Sequence, residues 1–180
     1  MKKKRFKSQY VLLALLVFLF VSCKKESTNN EPLAKNKNKE WMTGTWKAKD
    51  LVISVDVKIA GQKIPAGTSM IALAPLIGQA LGNPDIAAAI TCTSDNTYTF
   101  NADGTYAING CTDLILPVAG NSGKWDLTVY DAVLELTSPQ DKKDPHWINS
   151  ITNNTVNLSL TVVFPGLGAA PLGLILEKQP

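Results

Sequence analysis

Cys92 and Cys111 are the residues of this sequence whose type and spacing most directly predict a chemical bond. They flank two short alternating runs joined by a turn, and in an antiparallel pairing they stand within one bulge of opposed positions. Two cysteines can form a disulfide, a metal pair or a redox couple. No CxxC spacing occurs and the chain has a single histidine. A disulfide is therefore favoured, and neither a metal nor a cofactor is expected.

Motifs of nucleophilic, metal-dependent or phosphate-binding catalysis do not occur in the sequence. No serine lies in a GxSxG pattern, no HExxH is present, and the Gly-Leu-Gly run at 166–168 lacks a strand-to-helix context. His146 is interpreted as a loop residue, and its neighbours Asp141 and Asp144 as solvated loop charges. We therefore expect a protein that is not an enzyme.

The third cysteine, Cys23, follows a segment typical of secretion signals. The first ten residues carry four lysines and one arginine without an acid, and residues 11–21 are all apolar. Eleven apolar residues are too few for a membrane-spanning helix, which needs roughly 20. The residues Phe-Val-Ser-Cys that end at Cys23 resemble a lipobox, where the cysteine is acylated, with palmitate for example, and the preceding peptide is removed. We predict a lipoprotein signal peptide over 1–22, with an ordinary signal peptide as the alternative.

Removal of that peptide reverses the sign of the net charge. The whole chain has 18 basic and 15 acidic residues, but 13 basic residues remain once the signal is lost, so the net charge becomes −2. A basic surface for nucleic acid is therefore not expected. The polar composition of residues 24–40 predicts a flexible tether, so that anchor and tether occupy 23–40. We expect contact with the membrane through the lipid, in the bacterial cell envelope, with the outer membrane favoured and its face left open.

Beyond residue 40 the sequence changes to short runs of alternating apolar residues, which predict half-buried antiparallel strands in one domain over 41–180. Hairpins are predicted over 97–109, 125–136 and 147–164, and Gly104 suits a turn position with positive φ. The parity of the apolar positions switches near Asp50, which predicts a bulge there. About eight strands predict an all-β fold, an antiparallel meander that closes into a barrel, with a β-sandwich as the alternative.

The segment 68–90 interrupts the strand pattern and predicts a short helical insertion. Ser69 is the expected N-cap of a first helix, and Asn83 and Pro84 the expected start of a second. Four residues fall near one helical face: Met70, Leu73, Ile77 and Leu81. Such a face ordinarily packs against a sheet, whereas Pro75 and two glycines favour a lid that opens over the mouth of the barrel. Both interpretations stay open, and the lid is our prediction.

Four stretches of the sequence carry, in order, a resemblance to a known family. They are GTWK at 44–47, CTSDNTYTFNADGTYA at 92–107 with Cys111 after it, SGKW at 122–125 before LTVYDAVLELT, and ITNNTVNLSL at 151–160. The first is similar to the GxW opening of lipocalins, and the set resembles the lipocalin-like domain common in lipoproteins of Bacteroidota. The resemblance implies a small barrel in which Gly44, Trp46 and Trp125 are structural, with Trp46 at the closed end.

Two classes of function are consistent with such a barrel. The first is the binding or carriage of a small hydrophobic ligand inside it. The second is a non-catalytic structural or protein- or glycan-interaction module of the cell envelope, since small barrels are often filled by their own side chains. A cavity of roughly 300 Å³ or more would favour the first class. The sequence favours ligand binding but identifies neither a ligand nor a protein partner.

Overall fold

Ten strands and three α-helices make up the part of the chain that this computed structural model describes, residues 37–59, 61–111, 119–164 and 168–180. The strands are β1 (Gly44–Ile53), β2 (Val57–Ile59), β3 (Gln62–Ile64), β4 (Thr97–Phe100), β5 (Thr105–Asn109), β6 (Ser122–Thr128), β7 (Val133–Thr137), β8 (Lys143–Ile151), β9 (Thr155–Phe164) and β10 (Gly168–Lys178). The helices are α1 (Lys37–Met42), α2 (Met70–Leu81) and α3 (Pro84–Cys92), and a 3-10 turn at Thr93–Asp95 follows α3. The predicted signal peptide and Cys23 lie outside the described residues. None of the described helices is long and apolar enough to cross a membrane.

Eight of the described strands close into a single antiparallel barrel. Their order is β1-β10-β9-β8-β7-β6-β5-β4, and β4 pairs with β1 again. β2 and β3 form a separate two-stranded sheet. The predicted all-β meander barrel with a lipocalin-like fold is confirmed, because a closed up-and-down sheet of eight strands is the lipocalin architecture. The β-sandwich alternative is wrong, since this sheet closes on itself.

The predicted bulge in β1 is present next to Asp50. The register of β1 against β10 shifts between Ala48 and Asp50. Trp46 and Ala48 are buried before the shift, and Leu51 and Ile53 are buried after it. The Asp50 carboxylate accepts hydrogen bonds from the Leu51 N–H, at 2.7 Å, and from the Ser69 hydroxyl, at 2.7 Å. The carboxylate thus satisfies polar groups at the bulge and connects it to the insertion.

The two ends of the barrel carry different parts of the chain. β1 starts directly after α1, and its first residue Gly44 pairs with Phe100, which precedes the β4–β5 turn. The β4–β5, β6–β7 and β8–β9 turns therefore lie at the same end as α1, which we call the closed end. The last residues of β1, β5, β7 and β9 lie at the opposite end, which we call the mouth.

The helices of the insertion start where the sequence predicts. The Ser69 hydroxyl accepts a hydrogen bond from the Ala72 N–H, at 3.2 Å, and caps α2. Gly82 ends α2 in the left-handed region with φ 61, a conformation that costs glycine little. The Asn83 side chain then accepts from the Asp85 N–H, at 3.1 Å, so that α3 begins at Pro84. Local capping chemistry therefore specifies this helix pair.

The insertion packs against the side of the barrel where β1 and β4 separate. β4 pairs only with residues 44–47 of β1, whereas β10 pairs with β1 as far as Ile53. Beyond the β4 contact, the Ala48 N–H donates to the Asn96 carbonyl, at 2.9 Å, and the Ile53 N–H donates to the Thr68 carbonyl, at 3.0 Å. Five buried helical residues join the core of the barrel: Met70, Ala74, Ile77, Ile86 and Ile90.

The predicted hairpins form, with one difference at the β6–β7 turn. Gly104 has φ 84 in the β4–β5 turn, as predicted. Tyr98 and Tyr106 face the core on the two strands of that hairpin. Alternation with Trp125 and Leu127 predicts Val129 on the inward face of β6. Val129 lies instead in the β6–β7 turn, with φ 50 and 57% of its surface exposed. β6 ends one residue earlier because the turn takes four residues.

Cys92 and Cys111 form a disulfide in the structure, with their Cα atoms 5.7 Å apart. Cys92 is the last residue of α3 rather than part of a strand, and Cys111 lies two residues beyond the end of β5. The bridge therefore attaches the helical insertion to the barrel wall near the mouth.

Removal of this bridge is expected to destabilise the domain. The double variant Cys92→Ala and Cys111→Ala should lose about 3 kcal/mol in the free energy of unfolding, because a closed loop of this length restricts the unfolded chain. Urea denaturation of the exported protein with and without reductant measures the loss, and the double variant itself should not respond to reductant. Two titratable thiols in denatured, unreduced wild-type protein would contradict the bridge.

Candidate ligand-binding site

Trp46 lies at the closed end, where the resemblance to lipocalins places it. The ring is fully buried, and its Nε1–H donates to the Met42 carbonyl, at 2.8 Å. The Lys178 ammonium lies 5.1 Å from the ring centroid and donates to the Trp41 carbonyl, at 2.9 Å. Gly44 has φ 128, and a Cβ there would come within 2.9 Å of Lys178 Cε. Glycine at 44 thus leaves room for the lysine that covers the tryptophan.

Trp125 belongs to the same end through a second set of contacts. Its Nε1–H donates to the Asn101 carbonyl in the β4–β5 turn, at 3.0 Å. The Phe100 ring meets it edge to face, with centroids 5.5 Å apart. Lys39 of α1 lies 5.6 Å from the Trp125 centroid and 2.7 Å from Asp126. Residues 37–40, which the sequence predicts as part of the tether, belong to helix α1 in the structure. The contacts of Lys39 place this helix at the closed end of the barrel.

The four predicted lid residues lie on α2 as the spacing predicted, but not all are equally buried. Met70 and Ile77 are within the core, while Leu73 and Leu81 are half-buried against it. Gly78, one of the two glycines that were expected to let the helix bend, has another role. A Cβ at 78 would approach Ala87 Cβ of α3 to 2.9 Å, so glycine here permits close packing of α2 on α3. The lid stays a prediction, since a closed lid and a fixed core element bury the same face.

Asp144 and His146 face the barrel interior, so their interpretation as loop residues is wrong. Both belong to β8, where Asp144 pairs with Leu136 and His146 pairs with Leu134. Directly paired residues share a face of the sheet, and both leucines are core residues. The alternating residue Trp147 points outward and is 58% exposed. The sequence was misleading because Trp147 faces solvent while Asp144 and His146 face the core.

The Asp144 and His146 side chains form a polar pair just inside the mouth. His146 Nε2 lies 3.2 Å from Asp144 Oδ2, and the two side chains are only 11% and 14% exposed. The Tyr106 hydroxyl donates to the Gly120 carbonyl in the β5–β6 connection, at 3.0 Å. Burial raises the pKa of Tyr106, and the negative charge of Asp144 raises it further. A carboxylate, an imidazole and a phenol thus come together on β5 and β8.

Gly123 makes the position of the Tyr106 ring possible. It pairs with Tyr106 across β5 and β6, and a Cβ at 123 would lie 3.1 Å from Tyr106 Cε1 and would collide with the Thr137 carbonyl. The ring therefore lies over a strand without a side chain. The SGKW stretch that supported the family resemblance includes this glycine.

Asn96 and Tyr98 are further polar groups, buried at the start of β4. Within the described part of the chain, neither the Asn96 side-chain oxygen nor the Tyr98 hydroxyl has a hydrogen bond of good geometry. Burial raises the pKa of Tyr98 to about 12, while the nearby Asn96 side chain lowers it in part. The two groups are therefore close neighbours without an aligned hydrogen bond between them.

Similarity to known proteins is confined to the fold. No protein-family model and no curated protein matches the sequence. A lipocalin-like protein from Bacteroides uniformis aligns over 77% of this chain and 99% of its own, with 10% identity and a TM-score of 0.34. Apocrustacyanin C2 aligns over 82% of this chain and 64% of its own, with 12% identity and a TM-score of 0.32. At these values the likeness adds nothing to what the barrel itself shows.

Two other features of the described residues do not form this site. Cys92, Cys111 and Asp95 place potential metal ligands within 4.8 Å of one another, but the disulfide removes the thiolates that would bind the metal. A depression of about 280 Å³ lies beside Lys47, Lys49 and Glu177. These side chains are exposed on the outer face of the barrel, so the depression is separate from the interior.

The raised pKa of Tyr98 predicts a loss of stability at high pH. The pKa of Tyr98 is about 12 in the folded state, above the ordinary value near 10. As the pH rises, the tyrosine therefore loses its proton in the unfolded chain before it does so in the folded one. The free energy of unfolding should fall between about pH 10 and about pH 12, by about 1.4 kcal/mol per pH unit. Tyr98→Phe should remove this decline, whereas Tyr130→Phe, at a fully exposed position, should not. Urea denaturation across this pH range measures both variants. Parallel profiles for wild type and Tyr98→Phe would contradict the assignment.

Proposed function

We propose that the barrel binds a small amphipathic molecule at its mouth, with an apolar body inside the barrel and a polar head group at Asp144 and His146. The observation that carries this proposal is the polar pair on the inward face of β8. Its neighbours on the adjacent strand, Leu134 and Leu136, are apolar core residues. The interior therefore combines one polar position with an apolar wall, the usual composition of a site for a small ligand.

A structural role explains this pair poorly. Burial of an ionised carboxylate costs free energy, which a partner offsets only in part. Apolar side chains at positions 144 and 146 would fill a purely structural barrel at least as well. Large buried residues already occupy the closed end, Trp46 and Phe100 among them, which supports stability there without any charge. The polar pair near the mouth is better explained by recognition.

The negative charge of Asp144 determines which class of head group can bind beside it. The carboxylate of Asp144 accepts hydrogen bonds, and its negative charge acts on the interior, since it raises the pKa of Tyr106. A ligand carboxylate would meet this charge at short range in a medium of low dielectric constant and would be repelled. A hydroxyl or an amine would instead donate to it. We therefore infer an alcohol or amine head group rather than a free fatty acid.

The helical insertion supplies the entrance in this proposal. α2 presents Met70, Leu73, Ile77 and Leu81 to the core, and Pro75 removes one backbone donor within the helix. Movement of α2 would expose the apolar interior between β1 and β4, while the disulfide keeps the end of α3 attached to the wall. The lid therefore opens at α2, and α3 stays in place.

Cys23 places this binding domain at a membrane in our proposal. The signal-like segment and the lipobox-like residues before Cys23 support acylation there, and several acyl chains hold a protein durably because each buried methylene contributes about 0.8 kcal/mol. The disulfide fits an oxidising compartment. We propose a non-catalytic lipoprotein of the bacterial cell envelope, held at the outer membrane.

The head-group preference can be tested with matched ligands. A long-chain alcohol or amine should bind wild-type protein more tightly than the fatty acid of equal length, by displacement of a fluorescent lipid probe. Asp144→Asn should weaken amine binding and improve fatty-acid binding by about tenfold each, equivalent to about 1.4 kcal/mol. Lys143→Gln, at an exposed outward position on the same strand, is the matched control and should change neither.

Two outcomes would contradict the proposed site. Binding of neither ligand, by a protein that unfolds cooperatively, would favour an interaction module with a filled barrel. An unchanged preference in Asp144→Asn would place the head group elsewhere.

The anchor can be tested separately from ligand binding. Cys23→Ala should yield protein without acyl chains that no longer sediments with membranes, because the lipid supplies the membrane affinity. Mass spectrometry of the amino-terminal peptide and fractionation of cells measure both properties. A wild-type protein without acyl chains would remove the basis for the membrane location.

A further inference from the structure

Three large apolar side chains are exposed together at the closed end. Val129 is 57% exposed, Tyr130 is fully exposed, and Trp147 is 58% exposed. Val129 and Tyr130 form the β6–β7 turn, and Trp147 pairs with Val133, the first residue of β7 after that turn. We call these three residues the aromatic tip. Side chains of this size seldom stay in water as a group unless they contact something.

The backbone of the tip is held in an unusual conformation. Val129, Tyr130 and Asp131 all lie in the left-handed region, with φ of 50, 56 and 60. Residues with a Cβ rarely adopt it, and a β-branched valine least of all. The Ala132 N–H donates to the Val129 carbonyl at 3.1 Å, and the Ile148 N–H donates to the Ala132 carbonyl at 2.9 Å. These bonds fix a turn that presents Tyr130 to solvent, and such strain persists mainly at functional positions.

The tip lies at the end where the chain enters the domain. The Asn38 side-chain amide of α1 donates to the Asp131 carbonyl, at 3.5 Å. Fourteen Cα-to-Cα steps separate Cys23 from Lys37, which span at most about 50 Å when extended and about 20 Å on average as a coil. The mouth lies farther from α1 by the height of the barrel, roughly 25 Å for tilted strands of this length. At the average span of this segment, an anchor on Cys23 therefore lies nearer to the closed end than to the mouth.

We propose that the aromatic tip docks on the lipid bilayer at the level of the head groups, which rests on the proposed anchor at Cys23. Tyrosine and tryptophan favour this region because an apolar ring and a polar atom are both satisfied there. Charge contributes little, since Lys39 is paired with Asp126 nearby and Asp131 offsets Lys37. Docking of the closed end directs the mouth, with Asp144 and His146, away from the membrane surface.

Quenching of tryptophan by brominated lipids tests the docking. The acylated full-length protein is reconstituted into vesicles of phosphatidylethanolamine and phosphatidylglycerol brominated near the glycerol end of the acyl chains. A Trp41→Phe background is used throughout, because Trp41 of α1 is only half-buried at the same end. In that background, fluorescence should be quenched several-fold more than after the further change Trp147→Phe, because Trp46 and Trp125 are buried in the barrel. Tyr130→Ser should also reduce quenching. Gln140→Ser, in the β7–β8 turn at the mouth, is the matched control and should not.

The design separates failure of the docking from failure of the anchor. Mass spectrometry of the reconstituted protein reports whether Cys23 is acylated. If Cys23 is not acylated, its free thiol is coupled to a phospholipid with a maleimide head group. This coupling attaches the same residue to the same membrane surface. In the Trp41→Phe background, equal quenching with and without Trp147→Phe, under either mode of anchoring, would overturn the docking. Tip-dependent quenching that disappears without phosphatidylglycerol would replace it with adsorption by charge.

Discussion

Closure of the sheet is the constraint on which the rest of this structure depends. A barrel has no free edge, so β1 has to pair with β10 on one side and with β4 on the other. β4 is short and meets β1 over only four residues. The remaining length of β1 is left beside a gap, which the bulge at Asp50 and the hydrogen bond from Ser69 connect to the helical insertion. The insertion is thus part of how the barrel closes as well as a candidate entrance.

The distribution of polar groups divides the interior into two regions. At the closed end, aromatic residues fill the space, and their N–H groups are satisfied by backbone carbonyls of α1 and the β4–β5 turn. At the start of β4, polar side chains are buried with fewer internal partners among the described residues, as for Asn96 and Tyr98. Buried polar groups without aligned partners lower stability. Tyr98 on β4 and the Asp144 and His146 pair on β8 are thus separate polar positions in the core.

The sequence predicted those features that local chemistry specifies. Alternation of apolar residues predicted the hairpins, capping residues predicted α2 and α3, and the parity change predicted the bulge at Asp50. It failed for β8, because inward polar residues and an outward tryptophan reverse the usual pattern, and Pro145 there resembles a turn signal. Pro145 nevertheless lies within the strand, paired with Glu135, and the pairing of β8 with β7 continues on both sides of it. The polar pair in the interior depends on which face of β8 points inward, and only the pairing with Leu134 and Leu136 decides that.

The same reversal connects the two proposed surfaces. Because side chains alternate along β8, the register that turns His146 inward turns Trp147 outward. A shift of β8 by one residue would move the tryptophan into the core and expose the histidine. The hydrogen bond from the Ile148 N–H to the Ala132 carbonyl, next to the strained turn, opposes such a shift. The β6–β7 turn therefore fixes the register of the strand that carries both the polar pair at the mouth and the exposed ring at the closed end.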